Sequence, residues 1–225
     1  MLPIICTVDV VLLTLKDETL HVALLQRDHP PFAGVLALPG GYIHADEDVD
    51  TGDAASRMLR EKTGIRSPYL EQLATFSGRA RDPRGWSISV VYYALVPWAV
   101  IAAAKHPEVA LVAVEQVRAL PFDHQQIIEA AVRRVRDKST YSSLPVYLCG
   151  ELFTLPQLQS VYEAILGAAI NKVSFRRKID ELDILEPVTG SLDTGKAHRP
   201  AQLYRLKKRF GRQLSLSDRA LNAKG

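Results

Sequence analysis

The sequence predicts an α/β protein in which a first domain of mixed strands and helices precedes a helix–turn–helix with two strands. Strand-type and helix-type hydrophobic periods alternate through residues 1–140. From Phe153, two segments with helical hydrophobic spacing come before two segments that are typical of strands. The polar residues 139–143 mark a boundary by composition, so we predict domains at 1–140 and 144–210 and leave the tail 211–225 unassigned.

The elements of the first domain follow from periodicity and turn residues. The pattern predicts five strands, at 7–15, 20–26, 35–38, 70–77 and 87–95. Residues 16–18 form a hairpin turn between the first two strands. A helix at 53–62 ends at Gly64. An amphipathic helix at 123–138 either closes this domain or connects it to the next.

Composition and charge bound the function. The chain is 47% apolar and 24% charged, and its two cysteines do not form a disulfide framework. Its N-terminus lacks a signal peptide and Pro97 interrupts its longest apolar run, so we expect a soluble, cytoplasmic protein that does not contact membranes. Residues 151–225 carry 13 Lys or Arg and 8 Asp or Glu, a net charge of +5. Residues 1–150 carry the other 15 basic residues (28 − 13) and 17 acidic residues (25 − 8), a net charge of −2. The basic C-terminal segment favours a polyanionic partner.

A glycine turn, an acidic loop and a helix form the most informative segment, residues 41–65. It resembles the Nudix box, G-x5-E-x7-R-E-U-x-E-E-x-G-U with U aliphatic, once two extra residues are allowed before the arginine. Matching positions are Gly41, Glu47, Arg57, Leu59, Glu61, Gly64 and Ile65. The resemblance implies an α/β/α sandwich in which helical carboxylates hold divalent cations against a diphosphate.

Two of the helical glutamates of the box are replaced, by Met58 and Lys62. Positions 58, 61 and 62 share one helix face, and magnesium needs several oxygen ligands there. Met58, Glu61 and Lys62 sum to zero charge where three glutamates would give about minus three. We therefore predict a pocket without catalytic residues or a metal, which binds a nucleoside diphosphate derivative and does not cleave it. The loop before the helix contains further acidic residues that could either bind a metal ion in place of the box glutamates or simply be solvated, and we favour solvation. These residues are Asp46, Glu47, Asp48, Asp50 and Asp53.

The second domain predicts DNA binding. Thr154 and Gln157 make a capping box for a first helix that ends at Gly167, and Asn171 caps a second helix. Phe175, Ile179 and Leu182 give the second helix an apolar face, and its opposite face is cationic. Strands at 184–189 and 202–206, joined by a basic loop at 190–200, complete a winged helix-turn-helix. Such a fold places one helix in a major groove.

Together these parts resemble the NrtR family, Nudix-related transcriptional regulators of NAD metabolism. Matching segments are residues 38–42, 57–63, 69–73, 81–87, 122–124, 153–167, 175–179 and 199–205. The resemblance implies a homodimeric repressor of NAD biosynthesis or salvage genes. The repressor binds double-stranded operator DNA, and ADP-ribose releases it from that DNA. Members of the family differ in whether the box is intact; because this chain lacks two of its acidic residues, we expect no enzymatic activity and no required cofactor.

Two sets of site residues follow as predictions. For the diphosphate and adenine of the ligand they are Arg27, Gly40, Gly41, Arg57, Arg81, Arg84 and Trp86. For DNA they are Lys172, Ser174, Arg176, Arg177, Lys178, Lys196, His198 and Arg199. Arg57 could instead brace the box, and Trp86 could be core. Two other functions stay open, an active Nudix pyrophosphatase with an accessory DNA-binding domain and a regulator that answers to a sugar.

Overall fold

A computed structural model describes residues 3–193, 201–211, 213–217 and 220–221. Its residues form two compact units, each with its own core. One unit comprises the chain up to Thr14 together with Leu20–Arg133, and the other comprises Leu15–Thr19 and the chain from Arg134. In the described part of the chain, no helix is long and apolar enough to cross a bilayer.

A seven-stranded mixed sheet organises the first unit. Its strands are β1 (Ile5–Lys16), β2 (Thr19–Gln26), β3 (Leu36–Ala37), β4 (Gly40–Tyr42), β5 (Tyr69–Gly78), β6 (Ser87–Leu95) and β7 (Val109–Ala113). The order is β3-β2-β1-β6-β5, with β4 paired to β1 and β7 paired to β2. β1 runs parallel to β6, with Val8 opposite Val90. The glycine turn therefore lies beside the central strand.

Three helices accompany the sheet: α1 (Thr51–Thr63), α2 (Trp98–Ala104) and α3 (His124–Tyr141). The Asp50 carboxylate caps α1 by accepting from the backbone N–H groups of Gly52 and Asp53 at 2.7 and 2.9 Å. Gly64 ends α1 with a φ of 69°, a left-handed conformation that suits glycine. Leu59 and Ala55 pack into the core with Val10 and Leu12 of β1. Burial of a leucine such as Leu59 stabilises the fold by about 2 kcal/mol.

Two strands and one helix of the first unit were not predicted, namely β4, β7 and α2. The sequence pattern treats residues 90–104 as one interrupted apolar run, but Pro97 occupies the N-cap of α2. β7 follows and pairs antiparallel with β2, with Leu111 opposite Ala23. α3 also extends past the predicted end at residue 138, so the polar residues 139–141 are helical.

The second unit contains the predicted helix–turn–helix and strands. A 3₁₀ helix (Leu144–Leu148) leads to β8 (Phe153–Thr154), α4 (Leu155–Leu166), α5 (Lys172–Leu182), β9 (Leu185–Asp193) and β10 (Ala201–Leu206). The capping box of Thr154 and Gln157, the left-handed Gly167 and the Asn171 cap are all present, as predicted. The strands form a sheet in the order β8-β10-β9. Phe175 of α5 packs edge-on against Tyr162 of α4, with ring centroids 5.5 Å apart.

Part of the unassigned tail packs beside the end of α3. The backbone N–H groups of Ser217 and Leu221 donate to the carbonyls of Tyr141 and Thr140, each at 2.7 Å. Ser143 donates in the same way to Ser215 at 2.9 Å. The bonds to Tyr141 and Thr140 satisfy carbonyls that the helix end leaves unpaired.

Candidate functional site

A cavity of about 360 Å³ opens in the first unit beside the glycine turn. β1, β2, β4 and α1 contribute to its walls, together with the loops at 27–30 and 81–84 and the segment that leads into α3. Its lining includes Asp9, Arg27, Gly40, Gly41, Tyr42, Met58, Lys62, Arg81, Arg84, Phe122 and His124. A cavity of this size that combines aromatic rings and cations suits a nucleotide-like ligand.

The glycine pair lets the chain approach its neighbours closely. A Cβ at Gly40 would lie 2.0 Å from Asp9 Oδ1 and 2.9 Å from the carbonyl of Val8. A Cβ at Gly41 would lie 2.6 Å from the sulfur of Met58. Residues larger than glycine would therefore displace both the turn and the floor of the cavity.

A buried polar cluster forms one wall of the cavity. Ser89 Oγ donates to Asp9 Oδ2 at 2.6 Å, and His124 Nε2 lies 3.7 Å from Asp9 Oδ1. His124 Nδ1 accepts from the backbone N–H of Leu38 at 3.1 Å, which fixes a tautomer with its proton on Nε2. Burial lowers the pKa of His124, despite the opposing effect of Asp9. The ring is therefore neutral, and its hydrogen bond from Leu38 holds the segment that precedes β4 against the start of α3.

Three predicted arginines line the cavity, each held in place. Arg81 binds Asp123 through two nitrogens at 2.9 and 3.0 Å and lies 3.5 Å from Asp9. Arg84 binds both oxygens of Asp82 and donates to Tyr42 Oη at 2.9 Å. Arg27 instead donates to the backbone carbonyls of Pro31 and His29, at 2.9 and 3.4 Å, with its guanidinium 4.9 Å from the centre of the Phe122 ring.

Arg57, which was predicted to contact the ligand, lies outside the cavity lining. Its side chain is only 7% exposed and donates to Asp48 at 2.7 and 2.8 Å and to the carbonyl of Tyr42 at 3.1 Å. The hydrogen bond from Arg57 lowers the pKa of Asp48 to about 2. Arg57 thus braces the acidic loop against α1, the alternative that the sequence left open.

Trp86 is 41% exposed and also lies outside the cavity lining. The aromatic surfaces of the cavity come instead from Tyr42 and Phe122. Phe122 packs edge-on against Phe32, with centroids 5.0 Å apart. Phe122 and the buried pair of Asp9 and His124 were missed, although residues 122–124 match the family pattern and Asp9 is an acid within an apolar strand.

The altered box positions do not fit a magnesium or manganese ion. Met58 is 5% exposed and offers only a thioether, Lys62 lines the cavity as a cation, and Glu61 faces Arg57 at 3.3 Å. In the ranges that the structure describes, no three His, Cys, Asp or Glu side chains could hold a metal together. Of the acids in the alternative metal site, Asp48 binds Arg57 and Asp50 caps α1. The donor set does not match the divalent-cation chemistry of the box.

The cationic face of α5 lies largely in solvent. Lys172, Arg176 and Arg177 are exposed and Ser174 is half-buried, whereas Phe175, Ile179 and Leu182 are buried. A recess of about 240 Å³ between α4 and α5 is lined by Ser160, Lys172 and Arg176, among others. These residues form a surface that can meet a phosphate backbone.

Lys178 is a correction to the DNA-binding set. It is 3% exposed, and its ammonium donates to the carbonyl of Thr140 at 2.9 Å. Burial lowers its pKa to about 8. It stabilises the interior of the unit and does not face solvent. The predicted wing residues Lys196, His198 and Arg199 lie outside the described residues.

Comparisons with known proteins agree with this architecture. A NUDIX domain model matches residues 6–135, and a model of the NrtR DNA-binding winged helix domain matches residues 145–206. The "ADPR responsive transcriptional repressor NtrR" of Acinetobacter baylyi is 41% identical over 205 residues, 88% of this chain and 80% of the relative.

Two solved structures of Shewanella oneidensis NrtR are similar to this chain. One is complexed with a 27mer DNA and matches with 40% identity and a TM-score of 0.89, over 96% of this chain and 99% of the other. The other is its NUDIX domain complexed with ADP ribose, with 40% identity and a TM-score of 0.55 over 60% of this chain and 90% of the other.

The fold and the two matched models define a class of protein that joins a Nudix domain to a winged helix domain. The predicted fold class is therefore confirmed. Within that class, the chain belongs to the NrtR family.

Proposed function

We propose that this protein is a transcriptional repressor of NAD biosynthesis or salvage genes, which releases its operator when ADP-ribose binds. Residues 144–210 serve as the DNA-binding domain and residues 1–140 as the sensor. The main support is that one chain combines two features. The first is a cationic cavity of Nudix type, in which the box helix lacks suitable ligands for a metal ion. The second is an exposed cationic helix in a winged fold. The names of the Acinetobacter and Shewanella relatives point to the same pair of partners.

In the sensor, the diphosphate of ADP-ribose lies over Gly40 and Gly41, within reach of Arg27, Arg81 and Arg84. Arginine suits this role because its planar fork binds phosphate oxygens in pairs. The adenine stacks on Tyr42 or Phe122, the aromatic side chains that line the cavity. Arg57 contributes indirectly by holding the loop that follows Tyr42.

On the DNA side, α5 enters the major groove with Arg176 and Arg177 toward base edges or phosphates, and Lys172 contacts the backbone. Ser174 lies beside them and accepts or donates a single hydrogen bond. Lys196, His198 and Arg199 add phosphate contacts from the wing. The protein acts as a homodimer, since a two-fold protein matches the two half-sites of a palindromic operator. A repressor meets its operator in the cytoplasm of a bacterial cell.

The sensor does not hydrolyse its ligand, because Met58 and Lys62 replace two carboxylates that would hold the catalytic metal. Incubation with ADP-ribose and magnesium, followed by chromatography, should show no AMP. Turnover at about 1 per second, an ordinary enzyme rate, would favour a pyrophosphatase instead.

The repressor function is tested by fluorescence anisotropy with labelled DNA from upstream of the NAD genes of the same genome. At fixed salt, the protein should bind this DNA more tightly than scrambled DNA, and ADP-ribose should release it. A sugar phosphate serves as the matched control ligand and should leave the complex intact. Operator affinity that does not change on addition of ADP-ribose would refute the proposal.

A further inference from the structure

The cations around the cavity differ in whether a carboxylate already neutralises them. Arg81 is paired with Asp123 and Asp9, and Arg84 is paired with Asp82. Their charges are balanced before any ligand arrives. These two arginines can orient a ligand, but they add little net positive charge to the cavity.

Arg27 and Lys62 keep their charges. Within the described ranges, Arg27 donates only to neutral backbone carbonyls. Among the residues that the structure describes, Lys62 takes part in no hydrogen bond or ion pair. Asp28 and Glu108 also reach the cavity lining, but neither carboxylate forms an ion pair with Arg27 or Lys62 in the described part of the chain. Two uncompensated cations therefore face a ligand whose diphosphate carries two negative charges.

Lys62 also occupies the helix face where the Nudix box places metal ligands. It lies one turn beyond Met58, and both side chains line the cavity. Met58 fills the space under Gly41 with apolar atoms, and the third position, Glu61, is held by Arg57. An ammonium thus occupies a face where carboxylates would otherwise bind a divalent ion.

We propose that Lys62 contacts the diphosphate of the effector and, with Arg27, supplies the positive charge that a divalent cation supplies in a metal-dependent Nudix site. Effector binding by this protein then needs no metal. This inference rests on the proposed function, since it takes ADP-ribose as the effector. Lysine fits the role because it binds phosphate as a compact point charge on a flexible stem.

Calorimetric titration of ADP-ribose into the full-length protein tests this. The wild-type protein should bind with the same affinity in EDTA and in magnesium chloride. Lys62→Met should weaken binding by about tenfold or more, the usual effect of losing a hydrogen bond to a charged group. Lys62→Arg, which keeps the charge, should retain most of the affinity.

Arg60→Met is the matched control. Arg60 lies in the same last turn of α1, is about half exposed and does not line the cavity, so its loss changes the helix end to a similar degree. It should bind ADP-ribose like the wild type. Wild-type binding that disappears in EDTA, or Lys62→Met binding at wild-type strength, overturns the inference and leaves the repressor function standing. Absence of ADP-ribose binding in both buffers would overturn the proposed function as well.

Discussion

The box helix α1 and the exposed cationic helix α5 have similar ends, but their cations have different surroundings. They have 13 and 11 residues, and each begins at an Asx side chain that caps the first turn, Asp50 or Asn171. Each ends at a left-handed residue, Gly64 with a φ of 69° or Asp183 with a φ of 49°. The same local rules produce both helices.

The difference lies in where the arginines point. Arg57 of α1 is 7% exposed and surrounded by Asp48, Glu61 and the carbonyl of Tyr42. Arg176 and Arg177 of α5 are exposed. An arginine on a helix therefore stabilises the fold when neighbouring segments place acceptors beside it, and stays available to bind a ligand when they do not.

The largest expected effect is on operator binding. Arg176→Ala combined with Arg177→Ala should lower operator affinity by about a hundredfold, since each contact to a base or phosphate contributes about 1–3 kcal/mol. The melting temperature should hardly change, because both side chains are exposed. Anisotropy and thermal melting measure the two quantities. Wild-type operator affinity in this double variant would show that α5 does not read the DNA.

The counterpart in α1 is Arg57→Met. It should lower the melting temperature by about 5 °C or more, because several hydrogen bonds that fix the acidic loop are lost together. Operator affinity at a temperature where the variant is folded should stay near the wild-type value. Scanning calorimetry checks the stability. An unchanged melting temperature would contradict the bracing role and return Arg57 to the list of ligand contacts.

Lys178→Met should change operator affinity by less than about threefold, since the ammonium is buried and bound to Thr140. The free energy of unfolding of the wild-type protein should depend on the protonation of Lys178. The folded pKa of Lys178 is about 8 against an ordinary 10.5, so the wild type should gain stability as pH rises through that interval. Urea unfolding at both ends of the interval should show that gain in the wild type and a smaller one in the variant. A large loss of DNA binding would instead place Lys178 at the interface.

The smallest effect concerns acid stability. The pKa of Asp48 falls from 3.8 to about 2 beside Arg57. The stabilisation from this pair is therefore complete above pH 3.8 and is lost as pH falls toward 2. Asp48→Asn should reduce stability at neutral pH and show a shallower decline in acid. Urea unfolding across this interval provides the measurement, and identical acid profiles for both proteins would count against the pair.

Local signals in the sequence predicted α5 well and the cavity less well. Capping residues and an apolar face at helical spacing fixed the start of α5 and its buried side. Lys178 was misplaced because it lies at the edge of that face, where the reach of its side chain to Thr140 depends on the packing of α3. Helical spacing alone does not show which neighbour a lysine meets.

The cavity depends on contacts between distant parts of the chain. Leu38 meets His124 across 86 positions, and Arg81 meets Asp123 across 42. Such pairs have no periodic signature, so His124 and Asp123 were not among the predicted site residues, and Trp86 was proposed as the adenine surface where Phe122 and Tyr42 line the cavity. Gly40, Gly41, Met58 and Lys62, in contrast, lie close together in the sequence and line one cavity, because a strand, a turn and a helix that follow one another pack locally.

The proposed repressor binds ADP-ribose and operator DNA antagonistically, so each ligand should lower the affinity of the protein for the other. Calorimetry should give the affinity of ADP-ribose for the free protein and for the operator-saturated protein at one salt concentration. We expect the operator to weaken ADP-ribose binding by about tenfold or more, and ADP-ribose to weaken operator binding by the same factor. Equal ADP-ribose affinities for the free and the operator-bound protein would contradict it.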